Sequence, residues 1–316
     1  MNQLDNTPFV WQENNWPYFY WNSSEILDPL VTARKTQGQW MTGSLLLSDE
    51  KNLSPIHLDI QQNIFSSLTK ERLCGWQASL FPTGYLGIKK IKTGDYRQIT
   101  QITDSSYSPP DHHKLTHEMN QFLNWWNDSP VGLDGLIRAA LAHFWITVLQ
   151  PFDEGNQEIA IALSELALAQ DEQQGVPLYN FGLAFSAEML TSGSEVLRKS
   201  LSLKGDLTLW LVWYFELHRK IILSNLPRVQ QKIKILNFWN QRINLDLNPR
   251  QKKALNHLLT APDFESQKNF ITNRLYTNLT GAGRETAKRD IAQLETLKIF
   301  KRNSAKGRST SYSLIL

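Results

Sequence analysis

The run Gln150–Ile161, Q-P-F-D-E-G-N-Q-E-I-A-I, closes an apolar stretch and is the part of this 316-residue chain whose residue types best suit chemistry. Pro151 and Phe152 end one helix, Asp153 and Glu154 fall at the turn, and Gly155-Asn156 opens the next helix. A turn of this kind suits an anion. Free backbone N–H groups and the positive end of a helix dipole favour phosphate, glycine lets the backbone approach closely, and a neighbouring carboxylate can hold magnesium.

The order of these residues resembles the signature of the Fic family, H-x-F-x-[D/E]-G-N-G-R-x-x-R, nucleotidyl transferases that mostly move AMP from ATP to a protein hydroxyl. The resemblance implies ATP and Mg2+ as ligands. It makes Phe152 a packing anchor, Glu154 the magnesium carboxylate, and Gly155 and Asn156 the phosphate-cradling turn. Four positions depart from the pattern: Gln150 stands for the base, Gln157 for the second glycine, Glu158 for the first arginine and Ile161 for the last. Glutamine has no titratable group near neutral pH, and a positioned base is worth on the order of 10² to 10⁴ in rate. Glu158 puts an anion where a phosphate donor is expected; a unit charge at about 4 Å is worth roughly 4 kcal/mol at an effective dielectric of 20. Ile161 removes a second cation, and Gln157 adds a side chain where the backbone should meet the ligand. Very slow transfer and poor ATP binding are the expectation. His143 lies two turns before Gln150, roughly 10 Å along a helix axis, and is read as a core histidine rather than a substitute base.

The elements that must position this turn are mostly helical. Phe9 to Trp21 is unusually aromatic and is read as packed core, and Asn22 to Glu25 as a capping box that starts a helix running toward Gln37-Gly38. The wording F-V-W-Q…W-P-Y-F-Y-W resembles the N-terminal extension of one group of Fic proteins. A short helix is predicted over Ile60 to Leu68. The inhibitory pattern of many Fic proteins, [S/T]-x-x-x-E-[G/N], is not met: its nearest counterpart, Ser67 to Glu71, is followed by Arg72. Residues Trp76 to Arg97 again resemble that group, with Gln77 where it carries a histidine; Ile88 to Tyr96 reads as short extended segments. The resemblance places the flap hairpin, which aligns a target peptide by strand addition, at residues 96–102. Met119, Phe122, Leu123 and Trp126 give one helix stripe, Leu136 to Leu149 a central helix, Asn156 to about Gln170 the helix after the turn, and Leu207 to Ser224 and Gln230 to Ile243 two more. His218 and Arg219 are read as surface charges. No spaced cluster of His, Cys and acids forms a zinc site, and His112-His113 alone is weak support for one.

From Asn248 onward thirteen Lys and Arg residues face five Asp and Glu, a surplus of eight in a chain whose net charge is +3, so the tail is expected to meet something anionic. Asn248-Pro249 opens a helix, a second follows around Arg274 to Leu279, a third runs from Arg284 to Lys298, and Ile299–Arg302 with Thr310–Leu314 makes a hairpin. This order resembles a winged helix-turn-helix. The resemblance assigns phosphate contacts to Arg284, Lys288, Lys298, Arg302, Lys306 and Arg308, and base contacts to Thr286 and Arg289.

The reading as a whole is a mainly α protein: an aromatic N-terminal extension (1–75), a Fic-type helical core with a small β-hairpin flap (76–245) and a winged helix-turn-helix (246–316). A single cysteine, Cys74, and the lack of a basic-then-apolar N-terminus or a long apolar run point to a cytoplasmic protein that does not enter a membrane. The expected function is that of a catalytically impaired Fic protein acting as a DNA- or partner-binding regulator, with homodimerisation open. The alternatives are a transferase with a changed nucleotide or metabolite donor working through Asp153 or Glu154, and a structural partner of an active paralogue.

Overall fold

The computed structural model describes residues 9–44, 53–99, 107–128, 132–173, 181–260, 270–303 and 310–315. Its contacts divide the chain into two units, Met1–Pro227 and Arg228–Leu316, so residues 228–245, read from sequence as part of the core, fall with the tail.

The first unit is built of helices: α1 (Ser23–Ser44), α2 (Pro55–Gln62), α3 (Lys70–Leu80), α4 (His112–Asn127), α5 (Gly135–Leu149), α6 (Asn156–Glu172), α7 (Phe181–Glu188), α8 (Ser194–Ser200) and the first part of α9 (Thr208–Asn240). A two-stranded hairpin, β1 (Tyr85–Leu86) and β2 (Lys89–Lys90), follows α3. Helices α5 and α6 form the centre. Leu136, Phe144, Val148 and Leu149 on the one, and Ile159, Leu163, Leu166 and Leu168 on the other, are fully buried. Each such side chain contributes about 1.5–3 kcal/mol. Asp134 caps α5 by accepting from the Leu136 and Ile137 N–H groups at 2.8 and 3.2 Å, and also accepts from Arg34 on α1 at 2.8 Å. Arg34 also bonds Asp171 near the end of α6. Helices α1, α5 and α6 thus meet at one ionic junction, and Gly135 lies so close to Asp171 that a Cβ there would fall 2.3 Å from its side chain.

The aromatic N-terminal segment packs into this unit by some of its rings and not others. Phe19 meets Phe144 and Trp145 edge-on at 5.8 and 5.3 Å, and Trp16 donates to Glu118 at 2.8 Å, whereas Tyr18 and Tyr20 are exposed. Two predicted elements move. The helix expected over 60–68 is instead α2, Pro55–Gln62, because Ser54 caps it and proline occupies its first position. The two helices expected over 207–224 and 230–243 are the single α9, which carries Pro227 in its interior. His218 on α9 is fully buried rather than a surface charge, and burial pushes its imidazole down to about 3. No helix among the described residues is long and apolar enough to cross a membrane.

In the second unit α10 (Pro249–Leu259), α11 (Asn273–Thr280) and α12 (Arg284–Thr296) pack with a three-stranded antiparallel sheet in the order β3 (Phe270–Thr272), β5 (Ser311–Leu314), β4 (Phe300–Arg302). The hairpin was expected; β3, which pairs Ile271 with Tyr312, was not. Leu255, Leu258, Ile271, Tyr276, Ala287, Ile291 and Phe300 fill the core. Asp290 is its polar centre: it accepts from Arg250, Tyr276 and Asn248 at 2.8, 2.9 and 3.0 Å. Burial alone would raise its carboxyl, but these donors hold it below the usual range.

Candidate functional site

The Gln150–Ile161 run folds as its residues dictate. Gln150 ends α5 in the left-handed region, φ 43°, and its carbonyl accepts from Arg97 Nε at 2.7 Å. Arg97 is buried and also donates to the Leu149, Ile99 and Pro110 carbonyls, while its own N–H bonds Pro151 O at 2.9 Å. One guanidinium therefore satisfies the orphan carbonyls at the end of α5. Phe152 is fully buried against Tyr96. Asn156 closes the turn with two 2.8 Å bonds, accepting from the Phe152 N–H and donating to the Phe152 carbonyl. Gly155 starts α6 at φ 89°, where an L side chain is strained, and an added Cβ would lie 3.0 Å from Leu80 and Phe81. Gln77, fully buried on α3, ties the turn to the neighbouring loop: it donates to Glu154 O and Lys92 O and accepts from the Gly94 N–H.

The turn borders a cavity of about 460 Å³ lined by Gln150, Asp153, Glu154, Gly155, Asn156, Gln157 and Glu158, with Phe81, Leu86, His143, Thr147, Phe185 and Met189 on its apolar side. Of the predicted residues, Phe152 is buried, in keeping with a packing anchor, and Ile161 also goes to the core rather than to the cavity. Three carboxylates and no Lys or Arg side chain line the cavity among the described residues. Glu154 is held at 2.6 Å by Lys89 of β2, and that partner raises the Lys89 ammonium. Gln157 donates to Ser186 on α7 at 2.9 Å, and Glu158 is exposed in the first turn of α6, where the helix dipole favours an acid. Asp153 accepts from the Lys92 N–H at 3.2 Å.

His143 is buried as expected, tilted against Phe185 with ring centres 4.1 Å apart and bonded through Nδ1 to Ser164, and desolvation takes its imidazole down to about 3. Yet it also borders the cavity, so the core reading is incomplete. Residues missed from sequence are Leu86 on the β1–β2 hairpin, whose Lys89 bonds Glu154, together with Phe81, Thr147 on α5, Phe185 on α7 and Met189, where the π-helical turn Met189–Gly193 begins. Of the segment expected to form a flap, 96–99 makes no strand and 100–102 lies outside the described residues; the hairpin beside the cavity is Tyr85–Lys90 instead, with Ile88 fully exposed at its tip.

A second concavity, about 870 Å³, lies in the tail unit between α11 and α12 and is lined by Thr272, Asn273, Arg274, Thr277, Asn278, Arg284, Lys288 and Thr310. Arg289 and Arg302 are exposed, Thr286 is half-buried, and Lys306 and Arg308 lie outside the described residues. Lys288 is paired with Glu285 at 2.7 Å; Lys298 is exposed just past α12, with a positive φ of 54°.

Residues 67–168 match the model of the Fic/DOC family, and residues 9–69 that of DUF4172, a domain of unknown function. Among solved structures, a Fic family protein from Desulfovibrio desulfuricans G20 is similar over 92% of this chain and 86% of its own, at 11% identity and a TM-score of 0.51. A Fic domain containing signaling protein from Bacteroides thetaiotaomicron VPI-5482 covers 63% of this chain and 70% of its own, at 16% identity and a TM-score of 0.43. Fic-1 from C. elegans covers 69% and 64%, at 15% identity and 0.41. No curated protein matches. At such identity the first of these likenesses shows the fold; with the family match it supports a Fic-type domain over 67–168.

Proposed function

We propose that this chain keeps the Fic scaffold without its transferase chemistry and acts as a regulator that binds DNA or a partner through its tail. The observation that carries the reading is the charge of the cavity: Asp153, Glu154 and Glu158 line it, and no Lys or Arg among the described residues does. A triphosphate brings several negative charges, and at an effective dielectric of 20 each like-charged contact near 4 Å costs roughly 4 kcal/mol. The residues present do not fit magnesium-ATP. Glu154 is engaged by Lys89, the arginine positions hold exposed Glu158 and buried Ile161, and Gln150 offers no base to a target hydroxyl.

The turn itself is intact. Asn156, Gly155, Gln77 and Arg97 hold it through contacts that involve none of the four changed side chains. The β1–β2 hairpin remains the edge on which a partner segment would add as a strand. The tail unit supplies the other half of the reading: three helices, a sheet in the manner of a winged helix, and a concavity carrying Arg274, Arg284 and Lys288 suited to backbone phosphates.

Autolabelling and lysate labelling with radiolabelled ATP and magnesium test the first half. The native chain is expected to give no label, and a version carrying Gln150→His, Gln157→Gly, Glu158→Arg and Ile161→Arg to give label. Label in the native chain overturns the reading and directs attention to Asp153 and Glu154.

A further inference from the structure

The start of α4 gathers ligand chemistry that the proposed function does not use. Asp111 is its N-cap, accepting from the His113 N–H at 2.9 Å, and His112 and His113 are its first two residues. The two imidazole rings stand 3.9 Å apart, and one ligand atom from each of Asp111, His112 and His113 lies within 4.8 Å of the others. The Asp111 side chain is half-exposed, His113 is exposed, and His112 keeps 27% of its side chain open. His117 follows four residues after His113 on the same helix and is also exposed. Residues so spaced are neighbours on one helix face, about 5–6 Å between Cβ atoms, the spacing by which paired helical histidines hold a metal.

We infer that Asp111, His112 and His113, with His117 as a further donor, form a site for a first-row transition cation of the zinc class. Imidazole with one carboxylate suits zinc, nickel or copper, whereas magnesium and calcium demand all-oxygen sets. Metal–ligand bonds of about 2.0–2.2 Å require the donors to close by roughly an ångström, which exposed side chains at a helix start do by rotamer adjustment. The position matters to the fold. The strap leading into Asp111 carries the Pro110 carbonyl that accepts from Arg97, the Ser108 carbonyl that accepts from Trp11, and Tyr107, whose hydroxyl donates to Val148 O at 2.6 Å. Arg97 in turn holds the Gln150 carbonyl, so a cation at the start of α4 fastens the same strap that supports the end of α5.

Zinc sulfate titrated into the tag-free full chain at pH 7.5, followed by calorimetry and by thermal unfolding, tests the assignment. One cation per chain and a raised Tm are expected. The double substitution His112→Asn and His113→Asn should weaken binding by at least about tenfold, since even outer partners of a metal ligand are worth 10- to 100-fold. Asn is a fair helix-start residue, so the double variant should fold; its circular dichroism and metal-free Tm check that. His257→Asn, an exposed histidine on α10, serves as the control and should bind zinc as the native chain does. No binding by the native chain, equal binding by the double variant, or displacement of zinc by millimolar magnesium overturns the inference. None of these outcomes bears on ATP labelling.

Discussion

Gly155 and Asn156 fix the shape of the turn that borders the cavity, the one by its backbone conformation and the other by its two bonds to Phe152. Gly155 sits at φ 89° with Leu80 and Phe81 at 3.0 Å from the Cβ it lacks. Gly155→Ala therefore combines left-handed strain with an overpacked contact, and should cost about 2–4 kcal/mol. A urea midpoint lowered at constant m value is the expected reading; an unchanged midpoint would show that the turn relaxes freely. Glycine's place in the turn was legible in sequence because the chemistry is local: proline, acids, glycine and asparagine in order announce a helix end and a helix start. Gln77 and Arg97 were not legible as supports of the turn. Apart from Arg97's bond to nearby Ile99, their partners are backbone groups of residues 15 to 77 and 13 to 53 positions away, and no sequence spacing encodes a carbonyl.

Between elements, the histidines set how stability depends on pH, and they pull in opposite directions. His57 on α2 bonds Glu165 on α6 at 3.0 Å, and that hydrogen bond raises its imidazole above the ordinary value. Its contribution is fully present below about pH 6.5 and is lost as pH rises through the raised folded value. His143 on α5 and His218 on α9 are buried, and desolvation depresses both to about 3. For them the unfolded chain binds the extra proton below about pH 6.5, so stability falls as pH falls, by up to about 1.4 kcal/mol per pH unit for each. Thermal melts from pH 8.5 down to 5 should show a maximum near neutrality with a steeper acid limb. His57→Gln should remove the alkaline decline alone, and an unchanged profile in that variant would mean that the α2–α6 pair carries no pH dependence. At this scale the sequence told helix from strand by periodicity, as in α4, and by a long all-round apolar run, as in α5, but misplaced what neither marks. The two helices expected over 207–224 and 230–243 run on through Pro227 as the single α9, and the three residues of β3 are too few to show alternation. His218 and Arg219 were both read as surface charges for want of paired ligand spacing, but neighbours on a helix point about 100° apart, and His218 faces the core.

Over the whole molecule, the charge surplus of the tail visible in the sequence has a structural counterpart: Arg274 and Arg284 join Lys288 around one concavity, with Arg289 and Arg302 exposed on α12 and β4. The tail also has its own buried core, distinct from the helices that frame the motif turn. The proposed DNA binding should therefore persist whatever is done to the cavity. If Arg274, Arg284, Lys288 and Arg302 each meet a phosphate while Arg289 meets a base, counterion release predicts that log K falls with log salt at a slope of about −3.6 for a duplex. Arg274→Ala, a position that helical patterning gave no reason to single out, should reduce that slope by about 1 without changing sequence preference, as loss of one phosphate contact does. Arg289→Ala should weaken binding and relax preference at one base pair, because a base contact carries specificity worth about 1–3 kcal/mol. Titrations of a mixed-sequence duplex across a range of salt, with the native chain and the quadruple cavity variant side by side, separate the possibilities. Equal slopes in both place the interaction in the tail. A slope near zero leaves this face to a protein partner, since winged-helix surfaces without phosphate contacts have no counterions to release.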